Sequence, residues 1–107
     1  MRNDSFKDFI LDQLDGIGDL NCRPMFGGHG LYLNDTFFAI LYKNRLYFKT
    51  DSTTVTFYIK KGMEPFQPNP KQTLKSYYEV PVEIIEDADE LIIWAQRAVT
   101  CQLNKTY

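Results

Sequence analysis

Apolar side chains recur every three or four residues at Phe6, Phe9, Ile10 and Leu14, with Asp8 and Asp12 off that stripe. This spacing predicts an amphipathic helix with one buried face, with Asn3 or Asp4 placed to cap it and Gly16 to end it. From Asp19 the period shortens. Leu20 to Phe26 alternates loosely, Leu31 and Leu33 flank Tyr32, Phe37 to Tyr42 is a continuous apolar run, and Leu46-Tyr47-Phe48 follows. These segments predict an antiparallel meander whose turns fall at Gly27-Gly28, Asn34-Asp35 and Lys43-Asn44, residues that tolerate the positive φ of two-residue hairpin loops.

Asp51 to Lys61 predicts a short helix, because Val55, Tyr58 and Ile59 fall at helical spacing, Asp51-Ser52 offers a cap and Gly62 a stop. Met63 to Gln72 contains Pro65, Pro68 and Pro70, none of which can donate a backbone hydrogen bond, and reads as an extended loop. Leu74 to Val80 reads as a strand ended by Pro81. Asp87 and Glu90 then stand three apart like a capping box ahead of Leu91, Trp94, Ala95 and Ala98, with Val99 and Leu103 beside them, which gives a last amphipathic helix. The expected fold class is α+β, an antiparallel β-meander sheet with helices packed on one face, in the rough order α-β-β-β-β-α-β-α.

Composition narrows the function. A chain of 107 residues supports one domain, read here as 1–107. With 12 basic and 14 acidic side chains the net charge is −2, which lacks the electrostatic footprint of an unaided DNA binder. Residues 1–61 carry eight basic and seven acidic side chains and residues 62–107 carry four and seven. Glu83, Glu86, Asp87 and Asp89 crowd the start of the last helix, where its dipole accounts for them without a partner. No stretch has the apolar length of a secretory leader or a membrane span, so the reading is cytoplasmic. Cys22 and Cys101 stand apart from each other and from the single histidine, His29, so no metal and no cofactor is expected. The two thiols read as packing residues, with a disulfide between them left open.

The sharpest local feature is Arg23-Pro24-Met25-Phe26-Gly27-Gly28-His29-Gly30-Leu31-Tyr32. A phosphate-cradling reading fails because a strand follows the glycines rather than a helix, so they read as a turn or bulge where a Cβ does not fit. His29 has no nucleophile or carboxylate at a telling spacing, and no catalytic residue is assigned. Tyr32, Tyr42, Tyr47, Tyr58, Tyr77 and Tyr78 with Lys43, Arg45 and Lys49 suggest a basic and aromatic sheet face. Within it, Arg45, Tyr47 and Lys49 share one side of their strand and Leu46 and Phe48 the other. Such a face suits single-stranded nucleic acid or a small ligand on one reading, and a protein interface rich in Tyr and Arg on the other; the charge favours the protein.

The run Arg23-x-Met25-Phe26-Gly27-Gly28-x-Gly30-Leu31-Tyr32 is followed by Phe38-Ala39, Leu46-Tyr47-x-Lys49-x-Asp51 and Pro65-Phe66. Ser76-Tyr77-Tyr78-Glu79-Val80-Pro81 and Leu91-x-x-Trp94-Ala95-x-x-Ala98 complete the set. In this order and spacing, the chain resembles the N-terminal domain of the TfoX/Sxy competence regulators from residue 6 to about 98. The resemblance implies a non-enzymatic bacterial co-regulator of DNA-uptake genes, working with the cyclic-AMP receptor protein or another transcription component rather than by catalysis, while the net charge makes direct nucleic-acid binding by the domain alone the lesser expectation. Members of that family carry a second, C-terminal domain, so the chain reads as a fragment or as a stand-alone relative. The resemblance makes Met25, Phe26, Gly27, Gly28, Gly30, Pro81 and Trp94 a structural framework. Candidate contact residues are Arg23, Tyr47, Lys49, Asp51, Tyr77, Tyr78 and Glu79, with a salt bridge from Arg23 to Asp51 or Glu79 as a structural alternative. An open meander also leaves a sheet edge through which two copies could pair.

Overall fold

The apolar runs read from the sequence become a six-stranded antiparallel sheet with a layer of helices on one side. A computed structural model describes residues 5–25 and 27–104; the cap at Asn3 or Asp4 and the framework residue Phe26 lie outside them. Helix α1 (Ser5–Gln13) leads through a 3-10 turn (Asp15–Ile17) into β1 (Leu20–Met25), β2 (Gly28–Leu33), β3 (Thr36–Tyr42) and β4 (Arg45–Lys49). Then come α2 (Val55–Ile59), β5 (Pro65–Asn69), β6 (Gln72–Glu79), α3 (Val82–Ile85) and α4 (Ala88–Leu103). The strands lie in the order β1-β2-β3-β4-β6-β5.

The two-residue turns behave as their side chains demand. Asn34, Asp35, Lys43 and Asn44 all have positive φ, between 49 and 69°, the left-handed pair that matches strand twist in a tight hairpin. At the first turn the expectation needs correcting. Gly27 supplies the positive φ, 79°, whereas Gly28 already pairs with Met25 as the first residue of β2. Gly28 is needed for closeness: a Cβ there would run into the Leu41 carbonyl oxygen on β3. Gly30 is similar, since a Cβ would stand 2.7 Å from the Met25 sulfur and 2.9 Å from Phe37 Cε1. At the end of α1, Gly16 sits inside the 3-10 turn and Gly18, at φ 122°, redirects the chain into β1.

The register between β2 and β3 slips after the pair Leu31–Ala39, so that Tyr32 faces Phe37 and Phe38 is an extra residue on β3. As a result Phe38 and Ala39 both join the helix-side core, while Phe37 and Ile40 join the outer face. The inner core gathers Leu31, Leu41, Leu46, Phe48 and Val80 from the sheet region with Ile10, Leu14, Tyr58, Ile84, Ile85, Leu91 and Trp94. Trp94 is 5% exposed and packs edge-on against Tyr58 at 4.8 Å. Phe9 is on the rim at 41% exposure and Leu103 is at 66%, so neither belongs to the buried stripe on which it was expected.

Two elements differ from the sequence reading. The proline segment is a strand, because β5 is the outermost strand, where a missing N–H breaks no ladder, and its register with β6 is interrupted on both sides of Phe66. Helix α3 was hidden because it is one turn long; Pro81, buried, precedes it in extended conformation and Glu83 lies within it rather than at the start of α4. Glu83 also has a partner, Lys61, at 2.8 Å. The capping pair is as expected: the Asp87 carboxylate accepts from the Glu90 amide at 3.3 Å.

Both outer strands carry proline. The Asn34 amide donates to the Asp19 carbonyl at 3.0 Å, which makes Leu20–Leu33 a pair flanked by, rather than joined by, hydrogen bonds. By alternation Pro24 turns its nitrogen outward, toward the open edge of the sheet. Pro65 and Pro68 stand on the opposite edge strand.

Candidate contact face of the sheet

Alternation on β4 sends Leu46 and Phe48 into the helix-side core and Tyr47 to the outer face. There Ile40, Tyr47, Phe66 and Tyr77 form a second, small core, with Phe37, Tyr42 and Leu74 against it. Phe66 comes from β5 and is fully buried, its ring 4.7 Å from that of Tyr47 and 5.3 Å from that of Tyr42. The Tyr42 hydroxyl donates to the Pro68 carbonyl at 3.4 Å. The irregular β5–β6 register thus lets the hairpin curl over one end of the sheet and roof part of the outer face.

The rest of that face carries a continuous row of rings. Arg23 lies over Tyr32 at 4.6 Å, Tyr32 meets Phe37 at 5.2 Å, Phe37 meets Tyr77 at 5.6 Å, and the Lys49 ammonium lies 5.6 Å from the Tyr77 ring. The row crosses β1, β2, β3, β4 and β6, a width of about 19 Å at the usual strand spacing. Among the described residues no helix contributes to this small core. From the helix layer the Gln102 amide reaches across, donating to the Phe37 carbonyl at 2.7 Å and to the Tyr77 hydroxyl at 3.2 Å.

The seven residues singled out in the sequence divide among three places. Arg23, Tyr47, Lys49, Tyr77 and Glu79 share the outer face; Tyr78 turns to the inner core, with its ring 6.1 Å from Tyr58. Asp51 lies beyond β4 and organises the start of α2: its carboxylate accepts from the Thr53 hydroxyl at 2.7 Å and from the Thr53 and Thr54 amides. Those bonds, the Thr53 hydroxyl first, hold its carboxyl well below the usual range. Arg23 pairs with Asp35 at 3.6 Å, not with Asp51 or Glu79, and Glu79 takes a two-pronged bond from Arg45 at 3.0 and 2.9 Å. Tyr58 belongs to the helix layer, so the tyrosines do not form one face. Tyr32 and Phe37 complete the row. Phe37 was missed as a face residue because the bulge, invisible in the sequence, reverses its side.

Burial pushes the Tyr77 phenol up to about 12, with Tyr32 adding to the shift, and burial with Glu79 beside it raises Tyr47. A phenol held neutral by the fold contributes stability below its unfolded value, about 10, which is lost as the pH rises toward the folded one. Burial in the helix layer raises Tyr58 further still, so phenolate absorbance should show late titration that begins near pH 12 and shrinks by one tyrosine in Tyr77→Phe without vanishing; a single step near pH 10 for every tyrosine would contradict the packing described. His29 is half-buried on β2, paired with Leu41, and its imidazole makes no hydrogen bond among the described residues. Cys22 and Cys101 are both free thiols. No grouping of three or more His, Cys, Asp or Glu fit for a metal occurs among the described residues, nor any helix long and apolar enough to cross a membrane.

A two-layer α+β domain with helices on one sheet face and an aromatic, cation-flanked row on the other defines the class. The model of the TfoX N-terminal domain matches residues 12–102, and the chain belongs to that family. A search of curated proteins returns no significant match.

Proposed function

We propose that this domain is a non-catalytic regulatory module for DNA-uptake competence genes, and that it holds a protein partner on the outer face of its sheet. The observation that carries the reading is the row Arg23, Tyr32, Phe37, Tyr77 and Lys49, because rings on a rigid sheet offer large contact area at little entropic cost and arginine and tyrosine are favoured at interface centres. The net charge of −2 favours a protein over an unaided duplex. Family membership points to a transcription component, with the cyclic-AMP receptor protein at a competence promoter as the specific partner to try.

A gel-shift titration at near-physiological salt, with this domain, the receptor protein and both together on a competence-type promoter fragment, tests this. Tighter binding or a supershift only in the combined lane supports contact through protein. A shift by the domain alone would transfer the face to direct nucleic-acid binding, and silence in every lane would remove the co-regulator reading. Lys49→Glu should weaken the combined complex roughly tenfold while leaving the melting temperature unchanged. A matched loss of stability would make Lys49 a structural residue.

A further inference from the structure

On the helix side, away from the aromatic row, Ile93, Gln96, Arg97, Thr100 and Cys101 fall on one face of α4, at the three- and four-residue steps of a helix, and Asn104, which follows its last residue, continues that face. The Asp51–Thr54 turn stands against them, and the two flank an open cleft of about 360 Å³. That is within the range of small-molecule sites.

Within the cleft the polar groups are unequally engaged. Asp51 is occupied by its own turn, and Thr54 shares a bond with the Cys101 sulfur at 3.5 Å. Thr100 donates to the Gln96 carbonyl. By contrast, Arg97 has no carboxylate within ion-pair distance among the described residues, and the side-chain amides of Gln96 and Asn104 make no hydrogen bond among them. The guanidinium lies over the Phe57 ring at 4.5 Å, which fixes its plane and leaves its N–H edge for a bidentate acceptor. Ile93, 42% exposed, lines the cleft and supplies apolar surface, while Phe57 backs the guanidinium from outside the lining.

We propose that this cleft binds a small organic anion, a phosphate monoester or carboxylate with an apolar body, whose oxyanion sits on Arg97 and whose body lies against Ile93. The orientation follows from charge. Asn104, seven residues further along, is about 10 Å away at the negative end of α4, and Asp51 stands by Cys101, one turn beyond Arg97, so the anion belongs on the side of Arg97 toward Ile93. Gln96 is one step from Arg97 and supplies a further donor. The proposal is independent of the function of the outer face.

The test uses the whole chain, thermal shift and isothermal titration, with phenyl phosphate, benzoate and inorganic phosphate as probes at matched ionic strength. Phenyl phosphate or benzoate should raise the melting temperature and bind in the millimolar range or tighter, and the larger of the two shifts assigns the head group. Inorganic phosphate should bind at least fivefold more weakly, lacking the apolar body. Arg97→Gln should raise the dissociation constant at least tenfold; Thr100→Tyr, at an exposed position, fills the cleft without removing the cation and should do the same if Arg97→Gln does not fold. No binding by either organic anion, equal binding of inorganic phosphate, or binding unaltered in a folded variant of either kind overturns the proposal.

Discussion

Gly28→Ala should lower the stability of the domain by about 3 kcal/mol, the upper end of the overpacking range, because the added Cβ meets a backbone oxygen, which cannot rotate away as a side chain can. The strands β2 and β3 would have to part at the point where β2 begins. For a domain of this size that corresponds to a fall in melting temperature of roughly 12 °C or more. Thermal and urea unfolding followed by circular dichroism measure it. Gly27→Asn is the matched comparison: nothing lies within 4 Å of a Cβ there, and asparagine tolerates the left-handed conformation, so its cost should stay under about 1 kcal/mol. A Gly28→Ala protein that melts with Gly27→Asn would show that the close approach to Leu41 relaxes freely.

Phe66→Ala should have the other large effect, a loss of about 3 kcal/mol or more from a fully buried ring. Here the damage is local in origin. Phe66 fastens the β5–β6 hairpin to Tyr42 and Tyr47, so its removal should speed amide exchange first along β5 and the start of β6, and expose Tyr47. Uniform exchange behaviour across the sheet, with Tyr47 still protected, would mean that the prolines and the Tyr42–Pro68 bond hold the hairpin without the ring.

These two residues mark where the sequence was legible and where it was not. Local chemistry was readable: Asn34-Asp35 and Lys43-Asn44 could hardly be anything but tight turns, Asp87 with Glu90 announced α4, and Leu46-Tyr47-Phe48 gave the two faces of β4. The glycines of the Gly27–Gly30 run were read as places without room for a Cβ, which is right for Gly28 and Gly30 but not for Gly27, where only the positive φ asks for glycine; which of them turns the chain and which lets strands approach depends on a neighbouring strand. Pro65 and Pro68 misled because the rule against proline in a sheet lapses at its outer strand, and no local pattern says which strand is outermost. Of the outer face, Arg23, Tyr47, Lys49, Tyr77 and Glu79 were visible through alternation or resemblance. Tyr78 was assigned to it in error since the adjacent pair Tyr77-Tyr78 must point to opposite sides. Phe37 needed the bulge, and the cleft at Arg97 needed the return of α4 past the Asp51 turn.

The prolines on the two outer strands also govern what the sheet can become. An exposed strand recruits copies of itself by offering a row of donors and acceptors, and here that row is broken at Pro24 on one side and at Pro65 and Pro68 on the other. Templated growth into fibrils would have to begin from an incomplete ladder at either border, so the folded protein should remain dispersed at high concentration. Assembly is thereby disfavoured at the borders, and a partner docking on a face would meet side chains that can tell one protein from another rather than a backbone that every protein shares.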